Sequence, residues 1–239
     1  MLDCISVENM RRSDALTIEK YVSSLELMHR AAMGVFRAAK WHGKVAIVVG
    51  SGTNGGDGFA LACILCRENI DCAVFTVSQR LSADSAYYAA RATELGVPIT
   101  PFAPGCLDGF DMIVDCLLGT GFQGDLRENY RTAIEEINAS GAEVISVDIN
   151  SGMNGDTGEG ELIVRSDLTV TIGFIKNGLV TPNAGKYMKR LICADIGIHL
   201  AKEENKICAT GEHRANAIPC PPWLDMKNIN SSSSESKSK

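Results

Sequence analysis

Three segments of this chain carry acids and amides inside glycine-rich turns, and each follows an apolar run. The first is Gly50-Ser-Gly-Thr-Asn-Gly-Gly-Asp-Gly58, in which Asn54 and Asp57 lie among five glycines. The second extends from Asp115 to Asp125 and contains Gly119-Thr-Gly-Phe-Gln-Gly124. The third is Asp148-Ile-Asn-Ser-Gly152. A glycine-rich turn opening into a helix aims backbone N–H groups and the positive end of the helix dipole at an anion. A carboxyl beside it can give or take a proton, or hold a hard cation. One such turn after a strand is easily met by chance. Three, each with an aspartate, point to a polyanionic ligand with a cation or an acid nearby.

Apolar runs identify the strands that carry these turns. Val45 to Val49 is a short continuous apolar run, the pattern of a parallel strand buried on both faces. Cys72 to Val77, Met112 to Gly119 and Glu143 to Val147 read likewise, and Leu168 to Ile172 and Leu191 to Ala194 close the sheet. Helices are predicted over Asn9–Tyr21, Leu25–Ala39, Phe59 to about Asn69, Ser82–Leu95 and Tyr130–Ala139. The second puts apolar residues at 25, 28, 32, 35 and 36, a 3.6-residue stripe, and Gly141 follows the last as its C′ residue. Strands alternating with helices imply right-handed crossovers and an α/β sandwich with a mostly parallel sheet. Ligands of such sheets bind beyond the carboxyl ends of the strands, where all three turns fall.

Gly50-x-Gly52-x-x-Gly55 matches a dinucleotide fingerprint, yet its surroundings differ from a dehydrogenase. A ribose-binding acid is due at the end of the second strand, and Ser78-Gln79 stand there. No Gly-Lys-Ser/Thr follows the glycines, so this is no P-loop. His29, within an apolar stripe, reads as a packing or surface residue. Cys63-x-x-Cys66 reads as core packing, since no second pair follows at zinc spacing.

The 239 residues, 45% of them hydrophobic, suffice for one sizeable core, and the net charge of −6 argues against nucleic acid or a membrane surface as partner. No apolar run reaches membrane-spanning length. Nine cysteines, several in apolar runs, fit reduced thiols in a cytoplasmic protein. One domain is expected over 1–226, followed by a disordered polar tail over 227–239.

Gly-Thr-Asn-Gly-Gly-Asp-Gly58, Val-Asp-Cys-Leu-Leu-Gly-Thr-Gly121, Val-Asp-Ile-Asn-Ser-Gly152, Gly-Phe-Ile-Lys-Asn-Gly-Leu179 and Ala-Asp-Ile-Gly-Ile198 occur here in order. They resemble the YjeF N-terminal domain family over residues 5–200, as does Leu27-Met-His-Arg-Ala31. The resemblance implies a Rossmann-like three-layer α/β/α sandwich and an NAD(P)H-hydrate epimerase, an isomerase interconverting the R and S forms of NADHX and NADPHX. It places substrate contacts on Thr53, Asn54, Gly55, Gly56 and Asp57, on Gly119, Thr120, Gly121, Phe122, Gln123, Gly124 and Asp125, and on Asp148. It implies one potassium ion, K(+), per subunit, on Asn54, Asp115 and Ser151.

Asp148 is the expected catalytic acid/base, with Asp57 and Lys176 as further candidates. Lys176 reads alternatively as a surface or phosphate-pairing residue. The implied partner is a separate S-specific dehydratase, because the chain stops soon after Ile198, and a homodimer is left open. The alternative from another class is a non-catalytic nucleotide-binding or dimerisation module of the same fold. That reading predicts erosion of Asn54, Asp57, Asp115, Asp148 and Ser151, all of which stand. Thr53 and Asn150 depart from the family's usual Asn and Pro. Asn150 lacks proline's fixed φ, so a looser turn before Ser151 is expected. His29 replaces a usual acid.

Overall fold

The computed structural model describes residues 2–208 and 217–225. The tail expected over 227–239 lies outside them. In chain order the elements are β1 (Leu2–Ile5), α1 (Val7–Lys20), α2 (Ser24–Ala38), β2 (Val45–Val49), α3 (Thr53–Arg67), β3 (Cys72–Thr76), α4 (Ala83–Glu94), β4 (Ile99–Pro101), β5 (Met112–Cys116), α5 (Glu128–Ala139), β6 (Glu143–Val147), β7 (Leu168–Ile172), β8 (Ile175–Lys176), β9 (Leu191–Ala194), β10 (Asn205–Cys208) and β11 (Ala217–Pro219).

Seven strands form one parallel sheet in the order β4-β3-β2-β5-β6-β7-β9. The chain winds outward from β2 to β4, then returns to the other side of β2 with β5. The order therefore reverses between β2 and β5, which opens a crevice at their carboxyl ends. Val45, Ile47 and Val49 of β2 pack with Phe59, Leu61 and Leu65 of α3 and with Ala32 and Val35 of α2. Ala46 and Val48 face the opposite way, onto Ile134 and Ile137 of α5. Both faces of the strand are buried, which is why it is apolar at every position.

Ser6, Ser23 and Ser82 begin α1, α2 and α4 by accepting a hydrogen bond from the N–H three residues on. Gly141 has φ +72° just past α5, as a C′ residue requires. The buried stripe of α2 runs through Leu27, Met28, Ala31, Ala32 and Val35. Leu25 and Phe36, expected inside, are only half-buried, while the helix packs on α3 and on β7 and β9.

A second, small sheet with order β11-β10-β1-β8 has no counterpart in the sequence-based expectation. Its strands are two to four residues long, too short for alternation to register. It positions the site all the same, since β1 pairs Ile5 with Lys176 in parallel register.

Candidate functional site

The ends of β2 and β5 approach so closely that only glycine fits between them. A Cβ on Gly50 would sit 1.9 Å from the Leu117 carbonyl oxygen, and one on Gly55 would sit 2.2 Å from the Gly50 carbonyl. The chain then enters α3 at Gly52, whose cap makes no side-chain hydrogen bond, so the first turn keeps free N–H groups. Asn54 leaves this turn for the interior. Its Nδ2 donates to the Leu118 carbonyl at 3.0 Å and the Val147 carbonyl at 3.1 Å, joining α3 to the ends of β5 and β6. Its Oδ1 is buried and has no hydrogen-bond partner.

Asp115, fully buried at the end of β5, accepts from the Leu117 N–H (3.2 Å), the Ser151 N–H (3.0 Å), the Ser151 hydroxyl (2.5 Å) and the Ser146 hydroxyl (2.9 Å). Burial raises its carboxyl above the ordinary value, and these donors hold it back. Four donors already reach this carboxyl, so a cation bound to it would displace one of them. Asn54 Oδ1 is thus the open oxygen in a group of amide, hydroxyl and carboxylate. Among the described residues no three His, Cys, Asp or Glu side chains gather as a metal site. An all-oxygen set of amide, hydroxyl and carboxyl suits a hard, weakly held cation.

The turn leading to Ser151 is not loose. Asn150 is fully buried, and its Nδ2 lies within hydrogen-bond reach of the Val164 carbonyl (2.9 Å), the Ser166 hydroxyl (3.0 Å) and the Tyr187 carbonyl (3.1 Å). Its Oδ1 accepts from the Thr169 hydroxyl at 2.7 Å. Side-chain hydrogen bonds replace the restraint that a proline ring would give.

Asp148, just past β6, has φ +69°, a left-handed conformation that non-glycine residues seldom adopt and that clusters at functional sites. Its Oδ2 accepts from the Thr120 N–H at 3.3 Å, and its Oδ1 accepts from Lys176 Nζ. The Lys176 side chain is 0% exposed and that of Asp148 is 15% exposed. Lys176 Nζ also donates to Thr171 Oγ1 (3.0 Å) and the Ile172 carbonyl (2.8 Å). The surface reading of Lys176 is therefore wrong. The short strand β8 carries the lysine inward, under the end of the main sheet, where its ammonium needs a counter-ion.

Asn54 and Asp148 border a cavity of about 710 Å³ over the carboxyl ends of the strands. Of the residues expected to meet a ligand, Thr53, Asn54, Asp57, Gly119, Thr120, Gly121, Phe122, Gln123, Asp125 and Asp148 line it. Gly55 and Gly56 lie behind the loop, packed against Gly50 and Met28, and Gly124 is exposed outside the lining. Asp115 and Ser151 sit one layer beneath. Asp57 is 9% exposed, and its carboxyl has no hydrogen-bond partner among the described residues. Burial, then the neighbouring Asp148 and Asp14 carboxylates, raise it well above the ordinary range, while Lys176 pulls the other way.

Sequence reasoning missed Asp14. Helix α1 puts Met10, Asp14 and Ile18, spaced by four, along the cavity wall. Burial pushes the Asp14 carboxyl up to about 6, opposed by Lys176 and assisted by Asp148. An aspartate on a polar amphipathic helix looks like a solvent-facing residue. Its fourfold spacing from Met10 and Ile18 was the available signal.

His29 lines a separate cavity of about 310 Å³ between α2, α3 and α4. The Cys63 and Cys66 thiols donate to the Tyr88 and Leu95 carbonyls, a packing arrangement between α3 and α4. All eight cysteines with described side chains are free, and burial pushes the Cys4, Cys72 and Cys193 thiols up to about 12. Such thiols are poor nucleophiles.

Residues 24–178 match the profile of the YjeF-related protein N-terminus family. The chain belongs to this family. It is 36% identical over 199 residues to an NAD(P)H-hydrate epimerase of Limosilactobacillus fermentum, a match spanning 80% of this chain and 95% of the relative. An NAD(P)H-hydrate epimerase of Rhodopirellula baltica is 33% identical over 82% of this chain and 85% of its own. A bifunctional NAD(P)H-hydrate repair enzyme of Coxiella burnetii is 36% identical over 79% of this chain, which spans only 40% of that longer protein. The crystal structure of yeast YNL200c shares the fold, with a TM-score of 0.67 and 22% identity over 74% of this chain and 83% of that one.

Proposed function

We propose that this chain is an NAD(P)H-hydrate epimerase, interconverting the R and S forms of NADHX and NADPHX. The observation that carries the reading is one cavity holding an ion-paired carboxylate, Asp148, within the same walls as an open helix N-terminus. The similarity to NAD(P)H-hydrate epimerases over 95% and 85% of their own lengths supports it.

In the hydrated nicotinamide the reacting carbon bears a hydroxyl next to the ring nitrogen. Protonating that hydroxyl lets the nitrogen lone pair expel water, leaving an iminium-like cation. Water returning to the other face gives the epimer. The cation calls for negative charge beside the ring, which Asp148 supplies, and for an acid/base, which Asp148 also supplies. The backbone of residues 52–57 binds the diphosphate at the start of α3, away from the reacting carbon, so that remote binding orients the ring. Gly119 through Asp125 form the facing wall, held to Asp148 by the Thr120 N–H. Lys176 keeps Asp148 in place, and the left-handed backbone at Asp148 turns its carboxyl toward the cavity.

Asn54, Asp115 and Ser151 would hold one potassium ion per subunit. When bound, it supplies positive charge that offsets Asp115 and fixes the meeting point of the three loops. The partnerless Asn54 Oδ1 supports this assignment. No helix among the described residues is long and apolar enough to cross a membrane. The free thiols among the described residues support a cytoplasmic setting. There the chain would act, as a homodimer, beside a separate dehydratase.

The test adds the purified chain to racemic hydrate with an S-specific dehydratase. Complete conversion is expected. Conversion that stops at half, as without the chain, refutes the activity.

A further inference from the structure

Helix α1 lies outside the residues matched by the family profile, yet it forms one wall of the cavity. The helix is rigidly mounted. Its Val7 N–H donates to Asp156 (2.8 Å), Asn9 Nδ2 donates to the Lys202 carbonyl (2.6 Å), Ser13 Oγ accepts from the Ala201 N–H (3.0 Å) and Thr17 Oγ1 accepts from the His199 N–H (2.9 Å). These bonds consume the polar residues that face residues 199–202. Asp14 alone turns to the cavity as an acid on this helix, without a hydrogen bond or salt bridge among the described residues. A half-buried carboxyl with no partner is unfavourable for folding, and such groups concentrate where chemistry needs them.

We propose that Asp14 is a second catalytic acid/base, placed so that a ring lying between α1 and the end of β6 meets Asp14 on one face and Asp148 on the other. This rests on the epimerase reading and deepens it. Inversion at a carbon requires a hydroxyl to leave one face and water to arrive at the other. A single carboxyl fixed on one side serves only one of these steps.

With the hydroxyl facing α1, protonated Asp14 gives its proton to the hydroxyl oxygen. The C–O bond breaks, water departs, and the ring-nitrogen lone pair forms the C=N bond of the cation. Water on the far face adds its oxygen to that carbon, the C=N pair returns to nitrogen, and the Asp148 carboxylate takes the released proton. One proton has passed from Asp14 to Asp148 with no other change in the protein. The opposite epimer runs the same steps backward, and exchange with solvent through the cavity mouth resets the pair. The elevated Asp14 carboxyl suits the donor role, and the salt bridge to Lys176 suits Asp148 to the acceptor role. Asp57 also lines this cavity, and burial together with the Asp148 and Asp14 carboxylates holds its carboxyl well above the ordinary range.

The test uses each purified epimer labelled with ¹⁸O in its hydroxyl, and follows both epimerisation and loss of label. The parent should do both with either epimer. Asp14→Asn should epimerise at least about 100-fold more slowly, the usual scale for a lost general acid. It should still lose label, with retention, from the one epimer whose hydroxyl faces Asp148. Asp14→Glu should recover part of the epimerisation. One-sided exchange is a signature that a merely structural aspartate cannot produce. Asp14→Asn epimerising within about threefold of the parent, or losing exchange equally for both epimers, overturns the proposal. A parent that epimerises neither hydrate refutes instead the activity on which the proposal rests.

Discussion

Replacing Asp148 by Asn removes the expected acid/base, but it also leaves the Lys176 ammonium, 0% exposed, without its counter-ion. Thr171 Oγ1 and the Ile172 carbonyl remain as acceptors, and neither carries a full charge. Breaking one side of a buried pair costs about 3–5 kcal/mol. The penalty has a ceiling, because a stranded ammonium can escape by losing its proton. For an ordinary lysine that costs about 5 kcal/mol at pH 7. At about 2–4 °C per kcal/mol for a chain of this size, Asp148→Asn should lower Tm by about 6–20 °C. The double variant Asp148→Asn/Lys176→Met removes both charges together. It should recover to within about 2 kcal/mol of the parent, giving a coupling of at least about 1 kcal/mol across the cycle. Both variants should epimerise at least about 100-fold more slowly than the parent. Urea unfolding of the four proteins, with epimerisation assayed on each folded sample, separates folding from catalysis. Additive stability losses, with Asp148→Asn within about 1 kcal/mol of the parent, would show that the pair does not hold the site together.

Gly50→Ala should cost more than about 3 kcal/mol in urea unfolding, since the added Cβ meets the Leu117 carbonyl at 1.9 Å and backbone cannot yield cheaply. Gly52→Ala, with nothing within 4 Å, should stay within about 1 kcal/mol, and equal losses at the two positions would contradict the close approach. Potassium chloride should raise Tm relative to tetramethylammonium chloride at equal ionic strength, as binding to the native state requires. Asn54→Ala should abolish that difference, and an undiminished difference would remove Asn54 from the cation site. Burial lifts Asp14 from 3.8 to about 6, so its protonated form favours the native state. That contribution is complete below the unfolded value near pH 4 and is lost as pH rises through about 6, at most about 3 kcal/mol before solvent screening reduces it. Asp14→Asn should therefore gain stability over the parent between pH 4 and pH 7, and a gap that does not grow with pH would refute the assignment.

The sequence by itself determined the scaffold of the site. Val45–Val49, Met112–Cys116 and Glu143–Val147 are legible because strands buried on both faces must be apolar throughout. The turns after them are legible because close backbone approach admits only glycine, as at Gly50 and Gly55. Asn54, Asp57, Asp115 and Asp148 could be singled out from their places in those turns. What the sequence left undecided was the electrostatics. Lys176 looked free to face solvent, and the two-residue strand that buries it has no periodicity to read. Its pairing with Asp148 spans 28 residues, and the positive φ that aims Asp148 is one that aspartate tolerates better than most residues but does not dictate. Asn150 lacked a proline's restraint until segments 14 to 37 residues away supplied acceptors. Asp14 became a cavity acid only when residues 199–202 fixed the roll of α1. Local pattern dictates which way a side chain leaves its own element. Whether its charge is then desolvated, paired or aimed at a ligand depends on distant segments that dock against it, and that was settled by the tertiary packing alone.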